Sequence, residues 1–176
     1  MSDTVLVTYG TRYGSTREVA ERIAATLREG GLEVDVEPAR TVSSLDRYRA
    51  VVLGAPFFVG FWHKDARKFL ERHQEALRRR PVAVFALGPI EAALEEAQLQ
   101  EARAQIDGAL EKFAWLKPAA VEMFGGKYDP AGLNFLDGLL AKLPASPLYQ
   151  APASDARDWT AIEAWAADLP ATLGLS

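Results

Sequence analysis

The strongest constraint on this chain is a repeated alternation between short apolar runs and segments with helical spacing. Apolar, β-branched runs recur at residues 4–9, 32–37, 50–55, 82–87 and 119–124. Between them, apolar residues recur at four-residue intervals, as at Val19, Ile23 and Leu27. Strands that alternate with helices build βαβ units, whose strands pair in parallel under helices on both faces. The sequence therefore predicts an α/β fold with a doubly wound, five-stranded parallel sheet.

Length and composition favour one domain. With 176 residues, 49% of them hydrophobic, the chain can bury a single sizeable core, so residues 1–176 are interpreted as one domain. Twenty basic and 24 acidic residues give a net charge of −4, which does not favour a nucleic-acid partner. The sequence has no cysteine, and its two histidines lack partners at metal-ligand spacing, so no metal site is expected.

The N-terminal residues do not resemble a signal peptide. The longest apolar run, residues 51–62, is interrupted by Gly and Pro and is shorter than the roughly 20 residues that cross a bilayer. We therefore expect a cytoplasmic protein without a transmembrane segment.

The loop after the first strand combines hydroxyl side chains with two glycines at the start of a helix. A helix N-terminus attracts an anion through its unpaired N–H groups and its partial positive charge. The candidate phosphate-binding residues are Thr11, Arg12, Tyr13, Gly14, Ser15 and Thr16. The alternative is an ordinary helix cap, with Ser15 or Thr16 as the N-cap.

Two common phosphate-binding motifs do not fit this loop. A P-loop needs four residues between its glycines followed by Lys, whereas Gly10 and Gly14 enclose three and Ser15 follows. A dinucleotide fingerprint needs a middle glycine that "GTRYGS" lacks.

The loop after the third predicted strand is rich in aromatic residues. Phe57, Phe58, Phe61 and Trp62 lie in a Gly- and Pro-containing segment at the carboxyl end of a central strand. Aromatic faces suit a planar ring ligand, but the same residues could simply close the core. The loop after the fourth strand contains Gly88, which would allow close backbone approach or merely connect strand to helix.

The stretch "VTYGTRYGSTREVAERI" resembles the FMN phosphate-binding signature of the flavodoxin family. Tyr9, Thr11, Gly14, Thr16, Ala20 and Ile23 fall in register with it, whereas Thr8 replaces the usual aliphatic residue. The resemblance implies a sheet of strand order 2-1-3-4-5 and FMN as cofactor. It also implies that the flavin ring contacts the loops after strands three and four. Those positions are Pro56, Phe57, Phe58, Val59, Gly60, Leu87, Gly88 and Pro89.

Further segments resemble the flavodoxin-domain branch that contains menaquinone-dependent protoporphyrinogen IX dehydrogenase. They are "YRAVVLGAPFFVG", "FGGKYDPAGLNFLDGLLAKL" and "ARDWTAIEAWAADL". The resemblance implies an FMN-dependent oxidoreductase that takes electrons from a porphyrinogen and passes them to a quinone. Members of this branch are basic after strands three and five, where this chain has Lys127 and no arginine. A non-enzymatic electron carrier and a flavin-less interaction domain are the alternatives.

Four further predictions concern single segments. Leucines at helical spacing over residues 133–143 predict a helix whose apolar face packs onto the domain, the alternative being contact with a membrane or a quinone-bearing partner. A last helix is predicted from about Asp155 to Leu173. His73 is interpreted as a helix-surface residue. His63, beside the aromatic loop, is a candidate for contact with substrate or flavin ring.

Overall fold

The computed structural model describes residues 3–58, 61–88 and 96–175, apart from the side chains of Phe58 and Leu99. The strands are β1 (Thr4–Tyr9), β2 (Val34–Pro38), β3 (Tyr48–Phe58), β4 (Phe61–Trp62), β5 (Val82–Leu87), β6 (Ala120–Phe124), β7 (Lys127–Tyr128) and β8 (Ser154–Asp155). The helices are α1 (Ser15–Glu29), α2 (Lys64–Arg72), α3 (Gln74–Leu77), α4 (Glu96–Glu111), α5 (Phe135–Ala141) and α6 (Trp159–Thr172).

Five strands form the parallel sheet, in the order β2-β1-β3-β5-β6. Since β5 and β6 are the fourth and fifth predicted strands, this order confirms the predicted fold. β1 and β5 are buried along their whole length, whereas β2 lies at an edge and is half-buried over most of its residues. This difference in burial explains why apolar and polar residues alternate over residues 32–37, whereas the runs that form β1 and β5 are almost continuously apolar.

Two hydrophobic cores lie on opposite faces of the sheet. One is formed by α1 and α6, with Ile23 and Ile162 fully buried against the strands. The other is formed under α2, α3 and α4, with Phe69 fully buried at its centre. Both faces of the central strands are thus removed from water, as a doubly wound sheet requires.

Gly54 allows β3 to run beneath an aromatic ring. A Cβ atom at this position would lie 1.9 Å from Cζ of Phe85 on the neighbouring strand β5. Phe85 in turn stacks edge-on with Trp165 of α6, at a centroid distance of 6.1 Å. A glycine is therefore required at this point of the central strand for steric reasons.

The segment between β6 and α6 is an insertion that packs beside the sheet. It contains the antiparallel pair β7-β8, a 3-10 turn at Pro130–Gly132 and helix α5. A Cβ on Gly125 would lie 2.1 Å from the carbonyl oxygen of Ala156, so the two ends of the insertion are in close contact.

The prediction that the leucine face of residues 133–143 packs onto the domain is wrong. Leu136, Leu139, Leu140 and Leu143 are 67%, 53%, 54% and 48% exposed. The face of α5 directed toward the protein carries Asp137, Gly138 and Ala141 instead. Ala141 is buried against the domain, whereas the leucines on the other side of this short helix face solvent.

Two smaller predictions are also corrected. The last helix begins at Trp159, because Asp155 pairs in β8 and the carboxylate of Asp158 accepts the N-capping hydrogen bond from Ala161 N. His73 is buried rather than on the surface: Nε2 lies 3.2 Å from the carbonyl oxygen of Val42, and its ring contacts Phe69.

Within the described residues, no helix combines the length and hydrophobicity needed to cross a membrane.

The burial of His73 predicts acid-dependent stability. Desolvation lowers the pKa of His73 below its ordinary value, so the unfolded chain binds a proton that the folded chain excludes. The free energy of unfolding should therefore fall as pH drops below the ordinary histidine pKa of about 6.5, toward the lower pKa of the folded state. Urea denaturation on both sides of this pH measures the effect.

The variant His73→Gln is the matched control, because the amide can donate to Val42 but does not titrate in this range. Its pH dependence should be smaller than that of the wild-type protein, with the remainder due to His63, whose pKa burial also lowers. An unchanged pH dependence in His73→Gln would contradict the assignment.

Candidate functional site

The carboxyl ends of three central strands meet at one edge of the sheet. Tyr9 of β1 pairs with Gly54 of β3, and Pro56 of β3 pairs with Leu87 of β5. The loops after these strands therefore begin side by side. Successive strands are added toward one side of the sheet from β1 to β2 and toward the other side from β3 onward. Doubly wound proteins bind ligands at this change of direction, which here lies between β1 and β3.

The loop after β1 turns tightly into α1 without a side-chain cap. The hydroxyl of Thr11 accepts a hydrogen bond of 2.9 Å from the backbone N–H of Gly14. Gly14 is the N-cap and has a left-handed backbone with φ of 88°, which favours glycine. Ser15 and Thr16 lie inside the first turn, so the alternative that one of them is the N-cap is wrong.

Thr16 carries a buried hydroxyl group at this helix N-terminus. Its side chain is 0% exposed, and its Oγ1 has no hydrogen-bond partner among the described residues. The N–H groups of the first turn also have no acceptor within the helix. Unpaired donors, a hydroxyl and the positive end of the helix dipole are the features that a phosphate group would satisfy. The residues present thus fit a phosphorylated ligand.

Arg157 supports the first turn of α1 from beneath. Its buried guanidinium lies 2.5 Å from the carboxylate of Glu18 and 2.7 Å from that of Asp155, and it donates to the carbonyl oxygen of Ser15 at 3.3 Å. The hydrogen bond from Arg157 holds the pKa of Asp155 below its ordinary value. The single positive charge of Arg157 is shared by two carboxylates, so it offsets part of the negative charge of Glu18 next to the candidate phosphate site.

Asp137 of α5 holds the outer side of the same loop. Its carboxylate accepts a hydrogen bond of 2.6 Å from the guanidinium of Arg12 and another from the hydroxyl of Tyr13. Partial burial and then the hydrogen bond to Asp137 raise the pKa of Tyr13. The insertion therefore contacts the loop from two sides, through Asp137 and Arg157. Neither contact was predicted, because no local pattern links residues more than 120 positions apart.

Phe57 and Phe58 at the end of β3 pair with the two aromatic residues of β4, and the described side chains of this group differ in burial. Phe57 pairs with Trp62, and both are buried in the core under α4. The indole N–H of Trp62 donates to the carbonyl oxygen of Ala55 at 3.2 Å. The core interpretation therefore applies to these two residues. Phe61 is 64% exposed, so among the described aromatic side chains of β3 and β4 it is the one available for stacking.

The remaining predicted residues divide into described and undescribed positions. Pro56 is half-buried, and its carbonyl oxygen accepts a hydrogen bond from the His63 N–H. Leu87 is buried, whereas Gly88 donates to the carbonyl oxygen of Phe124 and is partly exposed. Three predicted positions, Val59, Gly60 and Pro89, lie outside the described residues, as does the side chain of Phe58.

His63 lies between the first two loops. Its Nδ1 accepts a hydrogen bond from Asp65 N and so caps α2, and a Cβ on Gly10 would lie only 2.7 Å from that nitrogen. Burial lowers the pKa of His63, which favours the neutral ring that the capping contact requires. Its contact with a substrate or a flavin ring stays a prediction.

Comparison with known proteins agrees with this geometry. Residues 6–150 match the Flavodoxin domain family. Over 84 residues the chain is 31% identical to protoporphyrinogen IX dehydrogenase [quinone] of Escherichia coli (strain K12); this match spans 47% of the chain and 46%, about half, of that relative.

Two solved structures share the fold. A flavodoxin from the domain Archaea superposes with a TM-score of 0.58 at 14% identity, covering 97% of this chain and 99% of the other. The rubredoxin oxygen:oxidoreductase of Desulfovibrio gigas superposes with a TM-score of 0.56 at 13% identity, covering 99% of this chain and 37% of the other.

Removing the Asp137 carboxylate should loosen the loop after β1. In Asp137→Ala, Arg12 and Tyr13 lose their shared acceptor, so amide hydrogen exchange at residues 11–14 should accelerate while β1 stays protected. Because Arg12 is largely exposed, the free energy of unfolding should change by less than about 1 kcal/mol.

The variant Glu21→Ala is the control for this experiment, since it removes an exposed ion pair with Arg17 on α1 without touching the loop. Equal exchange rates at residues 11–14 in Asp137→Ala and the wild-type protein would show that α5 does not restrain the loop.

Proposed function

Because this chain belongs to the Flavodoxin domain family, we propose that it is an FMN-dependent oxidoreductase that passes electrons from a reduced substrate to a quinone. The observation that carries the FMN assignment is the buried, unpartnered hydroxyl of Thr16 at an uncapped helix N-terminus. When bound, FMN supplies an acceptor and donor of hydride or single electrons. The protein's contribution is to bind, orient and shield it.

The phosphate end of FMN would be held by the loop after β1. The first-turn amides of α1 and the hydroxyl groups of Ser15 and Thr16 are the donors, and Gly14 allows the backbone to approach the phosphate. Arg157 keeps Glu18 paired, and Asp137 holds Arg12 on the outer side of the loop. A preorganised set of donors binds an anion without paying for reorganisation at the moment of binding.

The ring end of FMN would lie at the edge formed by the loops after β3 and β5. Phe61 offers an exposed aromatic face. Pro56, Gly88 and His63 form a partly exposed edge nearby, where close approach of the backbone is allowed. Val59, Gly60 and Pro89 are proposed as ring contacts from the family resemblance.

The proposed quinone acceptor is supported by the 31% identity to a dehydrogenase whose name specifies a quinone. A porphyrinogen is the first electron donor to test, for the same reason. The alternative is an electron carrier, which would exchange electrons with partner proteins without turning over a substrate.

Replacement of Thr16 by Val tests the phosphate site directly. Valine has the shape of threonine but lacks the hydroxyl, so Thr16→Val should weaken FMN binding about tenfold, the cost of one hydrogen bond to a charged group. Without ligand, the variant should be as stable as the wild-type protein or more stable, because its buried hydroxyl has no partner to lose. Fluorescence titration with FMN and urea denaturation measure the two effects.

The control variant Thr26→Val lies on the same helix with its hydroxyl bonded to the carbonyl oxygen of Arg22, and it should bind FMN normally. Riboflavin, which lacks the phosphate, should bind weakly and equally to wild type and Thr16→Val. If FMN binds no better than riboflavin, the loop after β1 is only a helix start and the FMN assignment is wrong.

The oxidoreductase assignment is tested separately on FMN-loaded protein. When protoporphyrinogen and a soluble menaquinone analogue are both supplied in the absence of oxygen, protoporphyrin fluorescence should increase, and the amount of protoporphyrin formed should exceed the amount of protein. Flavin binding without any quinone-dependent turnover would instead favour the electron carrier.

A further inference from the structure

Helix α5 and the segment just after it carry exposed apolar side chains, which we call the α5 crest: Phe135, Leu136, Leu139 and Leu140 on the helix, and Leu143 two residues beyond its end. Phe135 at the start of the helix is 86% exposed, the highest value among the large hydrophobic residues that are described as exposed. The others are exposed by about half or more. Contiguous apolar patches of this kind on a folded protein mark interaction sites.

The crest has few charged neighbours in the sequence, and the one carboxylate among them, that of Asp137, is paired. The sequence from Leu133 to Ser154 contains two charged residues, Asp137 and Lys142, although 25% of the whole chain is charged. Asp137 points back to the loop after β1, where Arg12 and Tyr13 bond its carboxylate, and only 17% of its side chain is exposed. Lys142, by contrast, is exposed at the end of the crest.

Two exposed tyrosines lie next to α5. Tyr13 is 47% exposed and bonds Asp137, while Tyr149 is 43% exposed beside Gly138 and Lys142. Together with Tyr149 and Lys142, the apolar residues Leu133, Ala141 and Leu148 line an open groove of about 380 Å³ beneath α5. Tyrosine and lysine beside a cluster of leucines are the residues that proteins place at a membrane–water interface.

The size of the crest argues against a second copy of the chain as its occupant. A helix of seven residues is about 10 Å long, whereas a stable protein interface buries roughly 800 Å² on each partner. Binding at a lipid surface needs less area, because it requires only that apolar side chains enter the outer 5–10 Å or so of the bilayer. The small area of the crest and the tyrosines and lysine beside it therefore favour a lipid surface over a second copy of the chain.

We propose that the α5 crest docks this protein on the surface of a lipid bilayer, with the leucines and Phe135 among the acyl chains and Tyr13, Tyr149 and Lys142 at headgroup level. The inference deepens the proposed function and rests on it in one respect, the identity of the acceptor. Asp137 connects the crest to the candidate phosphate loop, so docking would place the flavin site close to a lipid-soluble quinone. The docking itself requires no flavin.

Co-flotation of the 176-residue protein with phosphatidylcholine vesicles, with and without phosphatidylglycerol, tests the proposal. The wild-type protein should float with both kinds of vesicle, somewhat more with the anionic lipid because of Lys142. The double variant Leu136→Ser/Leu140→Ser should bind roughly 100-fold more weakly, about tenfold for each leucine. Both positions are exposed, so the variant should keep its circular dichroism spectrum and its melting temperature.

The matched control is Leu136→Met/Leu140→Met, which keeps the apolar character of the crest and should bind vesicles like the wild-type protein. FMN titration of all three proteins should give the same affinity, so that a failure of docking and a failure of flavin binding are distinguishable. Wild-type protein that stays unbound at all lipid concentrations would overturn the proposal. So would a dimer in sedimentation velocity that Leu136→Ser/Leu140→Ser converts to a monomer, because the crest would then be an interface between copies.

Discussion

The parallel pairing of β3 with β1 and β5 is the constraint on which the rest of the molecule depends. These strands are buried on both faces, so their register is fixed by the two cores and by the contact of Phe85 with Gly54. Because parallel strands end at the same edge, this pairing alone brings the three candidate ligand-binding loops together. A change that shifted β3 would therefore affect the fold and the site at once.

The candidate phosphate site combines a general property of helices with specific support from a distant segment. Any helix N-terminus attracts an anion, but in α1 the first turn also contains the buried hydroxyl of Thr16 and lacks a side-chain cap. Arg157 and Asp137 then compensate or hold the charged residues around it. The insertion between β6 and α6 thus supports the loop without contributing to the central sheet.

The same insertion connects this loop to the surface of the protein. On α5, Asp137 faces inward to the loop while the leucines face outward to solvent. A single short helix thereby links the proposed cofactor site to the proposed lipid-docking surface. The physical basis is the helical repeat, which places Asp137 and the buried Ala141, four positions apart, on one side of the helix and the leucines on the other.

By itself, the sequence determined the alternation of strands and helices, and hence a doubly wound parallel sheet, because hydrophobic periodicity is a local property. The strand order was implied by the family resemblance, and the structure agrees with it. The candidate ligand loop that begins at Thr11 likewise came from a local pattern of hydroxyl residues and glycines. It did not determine which aromatic residues are buried. Phe57, Phe61 and Trp62 are large apolar residues in one short segment, and their burial depends on which of them other elements pack against. The burial of His73 and the outward leucines of α5 also depended on neighbours distant in the chain. Only the tertiary structure brought Arg157 and Asp137 to the loop, because contacts between residues more than 120 positions apart leave no pattern in a single sequence.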